Sequence, residues 1–301
     1  MTARAARKTV SLVLGSGGAR GLAHIGVIQW LEEQGFEIAS ISGASMGSLV
    51  GGIYAAGELD AYRRWVTALE RTDVLRFLDL SFHTGGLIKG DRIIDTLRDM
   101  VGEHAIEDLP ISYTAVATDI ERQREVWITR GPLFDAIRAS IAVPSIFTPH
   151  EYLGLKLLDG GLLNPVPIAP TFKDRTDRTI AVNLNGQRLR GAAKDEPETT
   201  PAAPLSGYRK RIQQFLDSLP GRVGGDEEEA DEVGVFDLLN RSFETMQNAI
   251  AAHKLAAYQP DIVIEIPRDT CASFEFFRAK EVIDAGYRTS AKVIPRKLGA
   301  D

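Results

Sequence analysis

Apolar residues along the chain follow two alternating spacings, one typical of strands and one typical of helices. A short run rich in β-branched residues at 9–14 predicts a strand, and after a glycine cluster the apolar residues from Leu22 to Leu31 recur at helical spacing. The same order repeats in a predicted strand at 36–41 and a predicted helix at 46–56. Further strands are predicted at 113–118, 125–129, 156–158, 179–184 and 262–266, and further helices near 60–70, 91–101, 132–140, 236–257 and 278–293. This alternation predicts an α/β fold with a largely parallel central sheet.

One stretch, from 186 to 234, departs from this rhythm because its composition turns to Pro, Gly, Thr and acidic residues. A weakly amphipathic segment at 208–219 lies between two polar runs. We therefore predict a single domain over 1–301, with a core formed by 10–185 and 235–298 and a polar insertion between them. We interpret the insertion as a flexible surface loop with a helix resting on the core, and a lid or membrane-docking element is the alternative.

Composition narrows the classes of protein to which this chain can belong. Its 301 residues are 44% hydrophobic and 25% charged, as in an ordinary globular protein, and a net charge of −6 disfavours attraction to nucleic acid or anionic lipid. Cys271 is the only cysteine, so no intramolecular disulfide can form. No run of about 18 apolar residues is available to span a bilayer, and the run at 10–14 is too short for a secretory signal. We expect a cytoplasmic protein whose contact with a membrane, where it exists, is peripheral and on the inner face.

A Gly-x-Ser-x-Gly sequence, Gly43-Ala-Ser-Met-Gly47, lies between a predicted strand and a predicted helix. At such a turn the two glycines permit a tight bend, Ser45 projects at the C-terminal edge of the sheet, and the helix N-terminus supplies unpaired N–H groups. This context predicts a nucleophilic serine. The alternative is a glycine-rich turn in which the serine only caps the helix.

A second glycine-rich segment, Gly15-Ser-Gly-Gly-Ala-Arg-Gly21, also lies between a predicted strand and a predicted helix. Consecutive N–H groups at a helix N-terminus favour negative charge, which can be a phosphate or the oxyanion of acyl transfer. The spacing fits neither Gly-x-Gly-x-x-Gly nor the P-loop sequence, so we prefer an oxyanion hole with donors such as Gly17 and Gly18. Arg20 either braces the loop or adds positive potential.

The third segment, Leu157-Leu-Asp-Gly-Gly161, ends a short predicted strand with an acid. Asp-Gly alone is an ordinary turn signal, but a nucleophilic serine needs a base within hydrogen-bonding distance, most often a histidine. The chain has five histidines: His24, His83, His104, His150 and His253. His253 would suit the Ser, Asp, His order of α/β-hydrolases, but Ser45 lies too early in the chain for that fold, so we interpret His253 as structural. His24 follows the glycine loop by one helical turn and is interpreted as packing or loop support.

Together and in this order, the three segments resemble the patatin-like phospholipase family, including its bacterial members and the catalytic domain of neuropathy target esterase. Residues 16–21 resemble the oxyanion loop of that family, residues 43–47 its nucleophile elbow, and residues 159–161 its Asp-Gly-Gly element. Stretches at 85–90, 115–119, 139–149 and 164–167 also resemble small bacterial members. The resemblance covers 10–185 and resumes more weakly after 235.

The resemblance implies a three-layer α/β/α fold and hydrolysis of fatty acyl esters by a Ser–Asp dyad, without a histidine, a metal ion or any cofactor. Ser45 would attack the ester carbonyl, Asp159 would accept and return its proton, and water would release the acyl-enzyme. The implied site residues are the dyad, Ser45 and Asp159; the oxyanion loop, Gly17, Gly18, Ala19, Arg20 and Gly21; the elbow glycines, Gly43 and Gly47; and Gly160 and Gly161 after the aspartate. A carboxylate is a weak base for serine, so this mechanism requires close contact in a partly dehydrated site.

Other functions share this chemistry or these motifs. A thioesterase or an acyltransferase would use the same dyad and differ only in the acyl donor or acceptor. A non-catalytic regulator could keep the pocket to bind an acyl chain, and a nucleotide-binding protein could keep the glycine loop. The intact serine, aspartate and glycine loop favour a hydrolase whose partner is a lipid or fatty acyl ester, with its oligomeric state left open.

Overall fold

An interior strand of the sheet, β1 at Thr9–Leu14, alternates its side chains between two apolar layers. A computed structural model of the chain describes residues 8–74, 90–144, 146–187 and 235–299. Leu12 and Leu14 belong to a large buried cluster on one face of the sheet, whereas Val13 belongs to a smaller cluster on the other. A strand that is apolar on both faces is typical of a sheet covered by helices on both sides.

The sheet contains eight strands within the described residues. Their bounds are β1 Thr9–Leu14, β2 Glu37–Ala44, β3 Ser112–Asp119, β4 Arg124–Ile128, β5 His150–Tyr152, β6 Leu155–Asp159, β7 Arg178–Gly186 and β8 Ile262–Pro267. The strand order is β5-β6-β3-β2-β1-β7-β8, and β4 pairs with β3 outside that path. The pairs β1–β2, β2–β3, β1–β7 and β7–β8 are parallel, whereas β3–β4, β3–β6 and β5–β6 are antiparallel. The sheet is therefore mixed and mostly parallel.

Helices cover both faces of this sheet. Their bounds are α1 Ala23–Glu33, α2 Met46–Ala55, α3 Leu59–Ala68, α4 Asp91–Val101, α5 Leu133–Ser140, α6 Val235–Tyr258 and α7 Ala279–Leu298. Helices α1 and α7 pack against each other over the large cluster, and α6 packs through Ala251 and Leu255 against the smaller one. The predicted α/β fold with three layers is confirmed. None of the helices in the described ranges combines the length and apolarity that crossing a membrane needs.

Several element bounds differ from the sequence prediction. Strand β2 runs to Ala44, beyond the predicted end at 41, because Gly43 and Ala44 still pair with β3. Strand β5 was not predicted, and α7 continues past the predicted end at 293 to Leu298, with Pro295 inside the helix. The positions 188–234, which hold most of the predicted insertion and its amphipathic segment, lie outside the described residues, as do 85–89.

Candidate active site

Ser45 stands at the turn between the end of β2 and the start of α2. Its backbone has φ 55° and ψ −124°, a conformation that residues other than glycine rarely adopt and that occurs most often at functional sites. The turn is tight, since a Cβ on Gly43 would lie 2.4 Å from the carbonyl oxygen of Gly47, and one on Gly47 would lie 2.0 Å from that of Leu14. Only glycine fits at these two positions, so the Gly-x-Ser-x-Gly sequence forms a strand-to-helix elbow.

Asp159 reaches Ser45 because β6 continues along β3 where β2 stops. Val116 of β3 pairs with Ala44 of β2, and the next residue, Ala117, pairs with Asp159 of β6. The hydroxyl of Ser45 donates a hydrogen bond to Oδ2 of Asp159 over 2.5 Å. It makes no capping bond to α2. The structure thus brings together two residues that lie 114 positions apart in the sequence.

The Ser45–Asp159 pair is buried, with exposed fractions of 4% and 1%. Burial raises the pKa of the Asp159 carboxyl from its ordinary 3.8 to about 7, while hydrogen bonds from Ser45 and from the N–H of Gly161 oppose that shift. Gly161 donates to Oδ1 over 2.7 Å, so each carboxylate oxygen accepts one bond. A carboxylate whose pKa lies near neutrality is a stronger base than an exposed one, as general-base catalysis at neutral pH requires.

A second serine, Ser140 at the end of α5, fixes the backbone of the elbow. Its hydroxyl oxygen accepts a hydrogen bond from the N–H of Ser45 over 3.0 Å, and its O–H donates to the carbonyl of Val116 over 2.6 Å. Both bonds are buried, so they tie the unusual backbone conformation of Ser45 to β3. The only sequence signal for Ser140 is its place in the 139–149 stretch that resembles bacterial family members.

The glycine loop follows β1 and leads through a 3-10 turn, Gly18–Leu22, into α1. Several of its N–H groups donate to carbonyl oxygens elsewhere in the fold: Gly15 to Val182 over 3.1 Å, Ser16 to Pro165 over 2.8 Å and Ala19 to Ser273 over 2.9 Å. The N–H groups of Gly17 and Gly18 have no acceptor among the described residues. These two groups are therefore the ones available to a bound oxyanion, whereas the N–H of Ala19 is engaged.

Arg20 has a buried side chain that contacts the C-terminal part of the chain. Its guanidinium donates to Glu244 of α6 over 3.1 Å and more weakly to the carbonyl of Cys271 over 3.4 Å. The residue is 5% exposed. Of the two roles that the sequence left open for Arg20, these contacts match that of bracing the loop.

The three glycine-containing motifs pack directly against one another. A Cβ on Gly21 would lie 2.3 Å from the Cβ of Met46, which follows Ser45, and one on Gly161 would lie 2.5 Å from the hydroxyl oxygen of Ser16. The structure therefore gathers the glycine loop, the elbow and the Asp-Gly-Gly element at one place. That place is the C-terminal edge of β1 and β2, where ligands bind in open α/β sheets.

Neither a histidine nor a metal-binding cluster lies beside Ser45 among the described residues. The Nε2 of His24 donates to the carbonyl oxygen of Gly15 over 2.9 Å, and burial lowers the pKa of its imidazole to about 4, so that it stays neutral and supports the loop. His253 lies exposed on α6, and His83 lies outside the described residues. Asp159 is therefore the base that the described geometry offers to Ser45.

Comparison with known proteins identifies a family, several relatives and a solved structure to which this chain is similar. A model of the patatin-like phospholipase family matches residues 12–172, more than half of the chain. An uncharacterized NTE family protein of Mycobacterium tuberculosis is 42% identical over 92% of this chain and 89% of its own length. The lysophospholipase NTE1 of Coccidioides immitis is 29% identical over 96% of this chain, which corresponds to 18% of that protein. Among solved structures, VipD from Legionella pneumophila has a similar fold, with a TM-score of 0.55 at 16% identity over 97% of this chain and 67% of VipD.

Proposed function

The chain belongs to the patatin-like phospholipase family, and from that premise we propose that it is a serine-dependent lipid acyl hydrolase with Ser45 as nucleophile and Asp159 as general base. Lipid hydrolysis is the activity of the family at large. The observation that carries the finer proposal is the 2.5 Å hydrogen bond from the Ser45 hydroxyl to a buried carboxylate at a strand-to-helix elbow.

Acylation begins with attack of Ser45 Oγ on the ester carbonyl carbon. The hydroxyl proton moves along the existing hydrogen bond to Oδ2 of Asp159. The carbonyl oxygen becomes an oxyanion, and the N–H groups of Gly17 and Gly18, which have no acceptor in the described chain, can donate to it. When the tetrahedral intermediate collapses, the C–O bond to the alcohol breaks and the leaving oxygen takes the proton from Asp159. The products of this half-reaction are the free alcohol and an ester of Ser45.

Deacylation repeats the same steps with water as the nucleophile. Water attacks the acyl carbon and gives a proton to Asp159, and the second intermediate forms in the same place. Collapse breaks the bond to Ser45 Oγ, which recovers its proton from Asp159, and the fatty acid leaves. The aspartate therefore cycles between its charged and neutral forms, which is easiest when its pKa lies close to the working pH.

The substrate class that we propose is a phospholipid or lysophospholipid acyl ester. The family is that of patatin-like phospholipases, and a relative aligned over nearly the whole chain is a lysophospholipase.

The test combines active-site labelling with turnover. Purified protein is treated with a fluorophosphonate probe, and release of free fatty acid is followed from lysophosphatidylcholine and from p-nitrophenyl esters of short and long chains. We expect wild type to label and to turn over, and the Ser45→Ala variant to do neither while keeping the unfolding midpoint close to that of wild type. His253→Ala is the matched control and should retain full activity.

Three outcomes would contradict the proposal. Turnover by Ser45→Ala at the wild-type rate would remove Ser45 as the nucleophile. Folded wild type that neither labels nor releases fatty acid, with lipid vesicles present as well as absent, would favour a non-catalytic acyl-binding protein. Release of alcohol without free fatty acid, in the presence of a second alcohol, would instead identify an acyltransferase.

A further inference from the structure

Glu244 of α6 accepts two hydrogen bonds that converge on the glycine loop. Its Oε1 accepts from the guanidinium of Arg20 over 3.1 Å and from the hydroxyl of Ser273 over 2.8 Å. Within the described ranges, Glu244 is the carboxylate paired with Arg20, whose side chain is 7% exposed. A buried guanidinium is costly without a partner of opposite charge, so the contact with Glu244 holds Arg20 in place.

Ser273, which is bonded to Glu244, also contacts the backbone of the glycine loop. Its carbonyl oxygen accepts the N–H of Ala19 over 2.9 Å, and a Cβ on Gly18 would lie 2.6 Å from that oxygen. The peptide that follows Gly18 is therefore held against Ser273, next to the N–H groups of Gly17 and Gly18, which have no acceptor in the described chain. Ser273 is in turn bonded to Glu244, so a chain of contacts joins Glu244 to the backbone beside these two donors.

Helix α6 contacts the loop a second time, one turn after Glu244. The side-chain amide of Gln247 donates to the hydroxyl oxygen of Ser16 over 3.2 Å, and Gln247 is 5% exposed. Further along the same helix, Lys254 forms an ion pair with Glu125 of β4 over 2.5 Å, and Glu125 also accepts a hydrogen bond from Asn164 over 2.8 Å. The helix is thus fixed to the sheet at one end and to the two ends of the glycine loop through Glu244 and Gln247.

We propose that Glu244 is a positioning residue that holds the glycine loop in the conformation in which Gly17 and Gly18 can donate to the oxyanion. This inference rests on the proposed function, because it presumes that an oxyanion forms at Ser45. Glu244 does not touch the reacting atoms and acts through Arg20 and Ser273. A small displacement of such donors is enough to matter, since misplacement by about 1 Å can cost on the order of 10²-fold in rate.

The kinetic test compares two substitutions of one residue with a control on the same helix. Glu244→Leu removes both accepted hydrogen bonds, and we expect kcat to fall by about 10- to 100-fold while KM changes by less than about 3-fold. Glu244→Gln keeps an oxygen that can accept from both Arg20 and Ser273, so its kcat should stay within about 5-fold of wild type. Thr245→Ala removes an exposed hydroxyl of α6 whose hydrogen bond, to the carbonyl oxygen of Arg241, stays within the helix, and its kcat should stay near that of wild type.

A second measurement reads the loop itself and does not depend on turnover. Hydrogen–deuterium exchange of a peptide covering 15–22 should be faster in Glu244→Leu than in wild type, and unchanged in Thr245→Ala. The inference is overturned if Glu244→Leu keeps the wild-type kcat and loop exchange, or if Glu244→Gln loses as much activity as Glu244→Leu. If wild type shows no turnover at all, the proposed function fails, and loop exchange alone then decides whether Glu244 holds the loop.

Discussion

The two halves of the candidate site are held by different kinds of contact. The half around Ser45 rests on backbone structure, because β2, β3 and β6 set the position of Ser45 and Asp159 through strand pairing. The half around Gly17 and Gly18 has backbone hydrogen bonds at Gly15, Ser16 and Ala19 and is held in addition by side chains from the C-terminal part of the chain. One of these contacts joins residues 224 positions apart in the sequence and another joins residues 231 positions apart.

This difference has a consequence for how each half responds to change. Strand pairing and close backbone contact at glycines leave few alternative arrangements, so substitutions at the glycines of the elbow should affect the fold. Side-chain hydrogen bonds can be removed one at a time, so substitutions behind the glycine loop should displace the loop without unfolding the domain.

The largest expected effect is that of Asp159→Asn on turnover. The amide has no basic oxygen that can take the Ser45 proton, so kcat should fall by about 10⁴-fold. Steady-state hydrolysis of a p-nitrophenyl ester measures this, and residual fluorophosphonate labelling reports how far Ser45 still reacts. Full turnover by Asp159→Asn would show that the hydrogen-bonded pair is structural only.

The same variant should be more stable than wild type at neutral and alkaline pH. Since burial raises the pKa of Asp159 from 3.8 to about 7, the folded state holds a proton that the unfolded state releases over that interval. The stability that this proton linkage provides is fully present below about pH 4 and is lost as pH rises through about 7. Asp159→Asn has no such loss, so its advantage in free energy of unfolding should grow from pH 4 to pH 7 and reach roughly 2–4 kcal/mol. Urea unfolding at pH 5 and pH 8 checks the sign, and an advantage that shrinks with pH would contradict it.

The next effect tests the backbone half through Gly47→Ala. A Cβ at this position would lie 2.0 Å from the carbonyl oxygen of Leu14, so the elbow or β1 has to move, at a cost of about 3 kcal/mol in free energy of unfolding. Gly52→Ala is the control on the same helix, because the atoms nearest to its Cβ would be side-chain atoms of Ile137, Leu133 and Tyr113, at 3.0 to 3.1 Å, and not backbone atoms. Equal unfolding midpoints for the two variants would show that close backbone contact at the elbow carries no special cost.

Local sequence signals located the Ser45 half better than the glycine-loop half. The Gly-x-Ser-x-Gly pattern and the flanking periodicity suffice to predict an elbow, because its geometry depends on residues close in sequence. Even there, the predicted strand ended at 41, because the residues at 42–44 are small and give no strand signal. Pairing with β3 extends β2 to Ala44. Asp159 became a candidate base only through a family resemblance, because Asp-Gly is an ordinary turn signal and the register of β6 on β3 is not written in any local pattern.

The side chains behind the glycine loop left no signal in the sequence. Glu244 and Gln247 lie on a helix whose periodicity predicts only that it packs on the core, and Ser273 lies in a loop. Glu244 lies 224 positions from its partner Arg20 in the sequence, and Gln247 lies 231 positions from its partner Ser16. Such contacts follow from the packing of α6 on the sheet, so they require the tertiary structure.

A smaller effect is the dependence of kcat/KM on pH, which should reflect the ionisation of Asp159. Asp159 must be ionised to accept a proton and its folded-state pKa is raised to about 7, so kcat/KM should rise with pH and level off above about 7. For an uncharged ester we expect an increase of roughly 100-fold from pH 5 to pH 8. His24 should not contribute over this interval, since burial lowers its pKa to about 4. Glu244→Leu should lower the whole profile without shifting its midpoint, whereas a shifted midpoint would show that the loop alters Asp159 instead.

The smallest expected effect is that of Ser140→Ala. Ser140 holds the backbone of the Ser45 half through its side chain, so this variant tests whether side chains matter there as well. Ser140→Ala leaves the N–H of Ser45 and the carbonyl of Val116 buried without their present partner, which should cost about 2 kcal/mol in free energy of unfolding. Strand pairing still places Ser45, so kcat should fall by no more than about 10-fold. Ser290→Ala is the matched control, since Ser290 is equally buried and its hydroxyl donates only within its own helix, to the carbonyl of Gly286. If Ser140→Ala instead costs more rate than Glu244→Leu and less stability than Ser290→Ala, then side chains position the nucleophile as much as they position the glycine loop.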